Sequence, residues 1–285
     1  MPTLPKLFLA ASLSALLSST GLAQDAITPT ETVDLLADPT LADFTTHISE
    51  KRSITTKPEE VWSITDDGRL HVSGKAWGYL RTNKKYRDYH LVLDYMWGEH
   101  TYGTRENRAR DCGLLIHSYG KDGSVGDVFM NSIEAQLIEG GSGDILTLSY
   151  PEEGKELGIT KLTCEISLDK DGETVWTPGG EKRVFPEPGI RNQRINWQHR
   201  DPDWVDVKGF RGKDEIENPV GEWNRMEVIC RGEKLTILIN GEKVNEGTGA
   251  FPNEGYIGLQ SEAAECWIRR YEVWPLDKFD EKWGN

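Results

Sequence analysis

The sequence predicts an all-β protein, an antiparallel two-sheet sandwich, on three observations. Beyond about residue 38, apolar and polar residues alternate with period two, as in strands that bury one face. The strand-like runs recur at roughly 8–12-residue intervals between Gly-rich turns, the spacing of a sandwich. No heptad or long helical period interrupts them, and 29 glycines with 10 tryptophans suit tight turns and large buried aromatics.

The elements follow in chain order. Tyr89-His90-Leu91-Val92-Leu93-Asp94-Tyr95-Met96-Trp97 places apolar or aromatic residues at every odd position, a strand with one well-buried face. Met226–Ile229 and Lys234–Asn240 flank the turn Arg231-Gly232-Glu233, and Asn240-Gly241 is a hairpin signal because both residues accept positive φ. Ile257–Gln260 and Cys266–Trp274 complete the run. Trp62, Trp97, Trp223 and Trp267 fall on strands and read as core. One stretch does not read as sheet: Glu173–Asn218 carries Pro178, Pro186, Pro188 and Pro202 with Trp176, Trp197 and Trp204. A loop this long in a compact domain is usually functional, and its tryptophans suit an ordered cover.

The amino terminus has the layout of a secretory signal peptide over residues 1–23. Lys6 supplies the positive start, Leu7–Leu17 the apolar run, and Gly21-Leu22-Ala23 the small residues before cleavage at Gln24. The expected organisation is a linker over 24–37, one jelly-roll domain over 38–276 and a tail over 277–285, in a secreted or periplasmic protein. No later stretch reaches the roughly 18 apolar residues of a transmembrane segment. Export would allow Cys112, Cys164, Cys230 and Cys266 to pair in any of three connectivities; free buried thiols are the alternative. With 33 basic and 47 acidic residues the net charge is −14, and such a surface repels phosphate backbones, which excludes nucleic acid as a natural partner.

Chemistry concentrates in Ile133-Glu134-Ala135-Gln136-Leu137-Ile138-Glu139-Gly140-Gly141. On a strand Glu134 and Gln136 share one face, opposite Ile133, Ala135 and Leu137, and a bulge before the glycines would bring Glu139 round to join them. The plain alternative is a half-exposed strand with a polar outer face. His117 ends Asp111-Cys112-Gly113-Leu114-Leu115-Ile116-His117 on the face of Gly113 and Leu115. Its ordinary pKa suits proton transfer near neutrality, although a strand-end histidine is often structural. In the long loop, Trp197, His199 and Arg200 offer a stacking plane and hydrogen-bond donors for a sugar, or else a plug over the core.

These motifs together resemble the 3-keto-disaccharide hydrolase domain family. Tyr86-Arg87-Asp88-Tyr89-His90-Leu91 resembles its Y-x-D-F/Y-x-L strand entry, Asp111–His117 its N-S-G-I-F-L-R segment and Glu134-Ala135-Gln136 its E-x-Q strand. Gly221-Glu222-Trp223-Asn224, Asn240-Gly241 and Gly258-Leu259-Gln260 resemble G-x-W-N, N-G and G-L-Q. The order and spacing cover roughly residues 38–276. Asp111 and Cys112 depart from the common Asn-Ser, and His117 stands where Arg is common.

The resemblance implies a concanavalin/laminarinase-like jelly roll acting on carbohydrate oxidised at carbon 3. A ketone there acidifies the hydrogen at carbon 2; a base removes it, the enolate expels the substituent on carbon 1, and water adds to the enone. The expected base is Glu134 or His117, and the acid is Glu139 or the other partner. Gln136, Trp197, His199 and Arg200 are expected to bind substrate, with Arg200 or a divalent cation stabilising the enolate. Glu134, Gln136 and His117 supply donors for such a cation, though no spacing demands one. Two other classes compete. Glu134-x-Gln136-x-x-Glu139 has the spacing of the paired-carboxylate strand of laminarinase-type glycosidases, and the same face could serve a non-catalytic carbohydrate-binding module.

Overall fold

The computed structural model describes residues 25–150 and 160–284, so the expected signal peptide lies outside the described residues. Its strands in chain order begin with β1 (Val33–Asp34), β2 (Phe44–Ile48), β3 (Trp62–Ile64), β4 (Leu70–Val72), β5 (Trp77–Thr82) and β6 (Tyr89–Thr101). Next come β7 (Asp111–Tyr119), β8 (Asn131–Ile138), β9 (Ile145–Leu148), β10 (Lys161–Leu168), β11 (Thr174–Trp176) and β12 (Glu181–Phe185). The last six are β13 (Asn192–Ile195), β14 (Asn224–Arg231), β15 (Lys234–Ile239), β16 (Glu242–Phe251), β17 (Tyr256–Glu262) and β18 (Ala264–Pro275). One helical turn, Pro58–Val61, is the sole α-helix among the described residues.

Among the described residues the ladders between these strands are antiparallel, with isolated parallel bridges at Ile27–Tyr86 and Val175–Asn196, and the strands form two sheets packed as a jelly-roll sandwich. One is seven-stranded, ordered β13-β9-β8-β7-β17-β5-β2; the other is eleven-stranded, with the path β11-β10-β16-β15-β14-β6-β18-β4-β3. The alternation read from sequence sets which face meets the core. Leu91, Leu93, Tyr95 and Trp97 of β6 pack inward against Leu114 and Ile116 of β7, Ile133, Ala135 and Leu137 of β8, and Ile257 and Leu259 of β17. Full burial of each such side chain contributes about 1.5–3 kcal/mol. The Asn240-Gly241 turn between β15 and β16 has φ of 49° and 83°, the left-handed pair that this hairpin requires.

Several expectations change here. The segment expected as a linker is built into the fold: Ile27 bridges Tyr86, and β1 pairs with β18. The expected tail is also ordered. Phe279 packs edge-on against His90 and Trp274, and Arg225 lies over the rings of Phe279 and Trp283, so residues 276–284 cover the outer face of the larger sheet. Glu173–Asn218 is partly sheet, because β11 and β12 pair with β10 while β13 extends the smaller sheet beside β9. Its prolines mislead because they fall between these short strands. All four cysteines are buried and unpaired. Of the four tryptophans expected in the core, Trp62 and Trp97 are there. Trp267 is half-buried on the outer face, stacked on His71 at 4.0 Å, and Trp223 lies under Arg269.

Candidate active site

The outer face of the seven-stranded sheet holds a cleft of about 430 Å³. Strand alternation builds its floor. In β8, Ile133, Ala135 and Leu137 go to the core, which turns Glu134 and Gln136 outward; in β17, Ile257 and Leu259 do the same for Gln260 and Glu262. Between them β7 contributes Gly113, paired with Gln136, and Asp111. A Cβ on Gly113 would stand 2.6 Å from Gln260 Oε1 and 2.8 Å from Glu134 Oε1, so only glycine lets these two side chains meet over β7. The walls are Trp77 of β5 with Arg52 and Arg105 on one side. Phe129, Tyr150 and Arg191 are among the residues on the other. Asp122 anchors the 120–130 loop by accepting hydrogen bonds from Tyr79 Oη (2.6 Å) and Arg81 Nε (3.0 Å).

Charge is crowded into this floor. Asp111 is 2 % exposed and accepts hydrogen bonds from both Gln136 and Arg105. Arg105 also lies 3.6 Å from Glu262 and 3.4 Å from Asp206, which belongs to the long loop. Arg194 of β13 is held from behind by Asp144 at 2.9 Å. Burial, then the neighbouring charge of Glu262, pushes the Glu134 carboxyl up to about 8. Burial likewise lifts Glu262 to about 7, while Arg105, Arg194 and Arg52 pull it back. Near neutrality, therefore, this pair is poised to hold a proton and to exchange it. Gln260 is fully buried beneath this floor, and its carboxamide contacts the Glu134 carboxyl and favours its ionised form, partly offsetting the effect of burial.

The residues expected at the site divide sharply. Glu134 and Gln136 line the cleft. His117 does not: it takes φ of 54° at a bulge where the pairing of β7 with β8 shifts register, and this turns its ring away from the face of Gly113 and Leu115. The imidazole instead packs edge-on against Tyr89 in the core, with Nδ1 3.2 Å from Pro252 O, and burial lowers its pKa to about 4. Glu139 lies past the end of β8, in a separate cavity of about 250 Å³, shared with Trp97, Phe210 and Glu217. There it pairs with Arg110 at 2.6 Å and accepts from the backbone N–H of Arg110 and Gly209. The bulge that would have swung Glu139 to Glu134 is absent.

The loop residues also lie elsewhere. Trp197 is 2 % exposed in the core, His199 is exposed beside it, and Arg200 pairs with the fully buried Asp144 while lying 4.4 Å over the Trp204 ring. None of the three lines the cleft. Among the described residues no group of three or more His, Cys, Asp or Glu side chains could hold a metal ion, and the donors proposed from sequence do not converge. Sequence reasoning passed over Glu262, Arg105 and Trp77. The signal for Glu262 is present in Gly258-Leu259-Gln260-Ser261-Glu262, whose alternation puts Gln260 and Glu262 on one face as it does Glu134 and Gln136.

No helix among the described residues is long and apolar enough to cross a membrane. The chain is similar to a glycosyl-hydrolase-like protein from Parabacteroides distasonis, at 18 % identity over 86 % of this chain and 100 % of that one, with a TM-score of 0.45. It is also similar to the κ-carrageenase of Pseudoalteromonas carrageenovora (11 %, 86 % and 93 %, 0.42) and to a β-glucanase of Bacillus licheniformis (9 %, 85 % and 96 %, 0.41). No curated protein sequence matches the chain. The family model of the 3-keto-alpha-glucoside-1,2-lyase-like domain matches residues 33–273, and the chain belongs to that family.

Proposed function

We propose that the cleft cleaves 3-keto-glycosides by elimination followed by addition of water, in an exported protein. The observation that carries this reading is the pair Glu134 and Glu262, two buried carboxyls raised into the neutral range in one cleft. Glu262, held towards its ionised form by Arg105, is the base that takes the hydrogen from carbon 2. The electrons of the C–H bond pass into the carbonyl and form an enolate at carbon 3. When the enolate collapses, the bond from carbon 1 to its oxygen breaks, and Glu134 in its protonated form supplies that oxygen with a proton. Water then adds across the enone, oxygen to carbon 1 and hydrogen to carbon 2, restoring the ketone and both carboxyls. Gln260, buried beneath the floor against Glu134, holds that carboxyl in place. Asp111, fixed by Gln136 and Arg105, sets the guanidinium that faces Glu262.

Incubation of the purified protein with a 3-keto-glucoside tests the reading, with released aglycone and 3-keto-glucose followed by chromatography. Release by the wild type and its loss in Glu134→Gln and Glu262→Gln are expected; release that survives both substitutions overturns the assignment. The paired-carboxylate glycosidase reading loses its geometry, because Glu139 is tied to Arg110 in another cavity. Saccharide binding without turnover, unchanged in Glu134→Gln, would instead mark a binding module.

A further inference from the structure

One cation on the wall of the cleft has no acid of its own. Arg52 and Arg105 both lie over the indole of Trp77, their guanidinium carbons 5.7 and 5.9 Å from its centroid. Arg105 is committed to Asp111, Glu262 and Asp206. Arg52 is not: among the described residues no carboxylate oxygen lies within 4.0 Å of it, although Glu262 feels its charge at longer range. An anion entering beside Arg52 would supply the acceptor that its guanidinium lacks. Arg52 is exposed at the mouth of the cleft, where an incoming ligand meets it.

From this geometry we infer that the saccharide taken by the cleft is anionic, with a carboxylate or sulfate substituent seated on the Arg52 guanidinium beside Trp77. The inference rests on the proposed reaction only in placing the reacting sugar over Glu134 and Glu262, and it adds the substrate class. The planar guanidinium offers two parallel N–H donors to either anion, and the indole offers an apolar face to the sugar ring that bears it. Arg191 is a second guanidinium without a carboxylate partner among the described residues; it lies 5.0 Å from the Tyr150 ring centroid. It precedes β13, five strand spacings from Trp77 on β5, which is about 24 Å at the usual spacing of strands. A disaccharide with one charge engages the Arg52 end alone.

The test is calorimetric titration of the full chain with three disaccharides of matched skeleton: cellobiose, the glucuronosyl-glucose in which one ring carries a carboxylate, and cellobiose 6-sulfate. At least one charged probe is expected to bind about tenfold or more tightly than cellobiose in low salt, and which one does so separates a uronate from a sulfated sugar. The preference should shrink as salt rises. Arg52→Gln should abolish it, while Arg191→Gln should change it less than twofold. Equal binding of all three probes, no binding of either charged probe, or a preference that survives Arg52→Gln overturns the inference. None of the probes is oxidised at carbon 3, so none turns over. A charge preference without 3-keto-glucoside cleavage would fail the proposed reaction alone, and cleavage without the preference would fail this inference alone.

Discussion

Two buried glutamates, Glu134 and Glu217, are pushed to the same height, about 8, and only one of them stands in an open cleft with a cation that lacks a carboxylate partner. Glu217 lines the cavity under the long loop, where Oε1 accepts from Tyr95 Oη at 2.5 Å and from Trp97 Nε1 at 3.0 Å, and where Glu139 is neutralised by Arg110. Donors there find acceptors, and what stays open is an acceptor, Glu215 Oε2, not a cation. Glu134 shares its cleft with a second raised carboxyl and with Arg52, a guanidinium that has no carboxylate partner among the described residues. A raised carboxyl thus marks burial in both places. What distinguishes a site is the set of polar groups that the fold leaves incomplete beside open volume.

The largest expected effect breaks the comparison at Glu134. Glu134→Gln should lower 3-keto-glucoside turnover by about 10²–10⁴-fold, with the fold intact by circular dichroism, whereas Glu217→Gln should leave turnover within about threefold. Equal loss in both variants would show that the cavity under the loop takes part in the chemistry. The pH profile of the wild type sharpens the same contrast. Protonating the base below about 7 and ionising the acid above about 8 should give a narrow bell, whose two limbs belong to the coupled pair. Glu217→Gln should leave both limbs in place.

A smaller effect concerns stability. Glu217→Ala removes the acceptor of two buried donors, Tyr95 Oη and Trp97 Nε1, and should cost about 3 kcal/mol in urea unfolding. The pH dependence has a definite sign. Folding raises the Glu217 pKa from 4.5 to about 8, so the native state binds more protons than the unfolded chain in that interval. Its contribution is fully present below pH 4.5 and is lost as pH rises through 8. Unfolding free energies at pH 5, 7 and 8.5 should therefore fall more steeply in the wild type than in Glu217→Gln. A variant slope as steep as the wild type's would place the proton elsewhere.

How far the sequence reached follows from the same physics. Alternation is a local property, and it located β6, β8, β15 and the Asn240-Gly241 hairpin, as well as the shared face of Glu134 and Gln136. Partnership across the sheet is not local. Glu262 lies 128 positions beyond Glu134 in sequence, and only the strand order β8-β7-β17 brings their faces together over Gly113. Arg105 and Asp206 come from connecting segments whose paths no periodicity encodes. The tryptophans of the long loop stayed open between a plug and a sugar platform because an aromatic ring serves a core and a sugar equally well; Trp176 and Trp197 are buried, and Trp204 donates to Glu139 O.

The smallest expected effect is at His117, where a local irregularity defeated a correct alternation. Counting by twos from Gly113 puts this residue in the cleft, but the bulge with φ of 54° sends it to the core beside Tyr89. Burial holds the ring neutral down to about pH 4, so it has no proton to exchange in the range where Glu134 and Glu262 titrate. Its folded pKa is depressed, so its contribution to stability is present above the ordinary value of 6.5 and is lost as pH falls towards 4. Asparagine tolerates the left-handed backbone and keeps an acceptor and a donor. His117→Asn should therefore cost about 1 kcal/mol, most of it above pH 6.5, and leave turnover within about twofold. A tenfold loss of turnover in the folded variant would bring the imidazole back into the chemistry and would mean that the bulge opens when substrate binds.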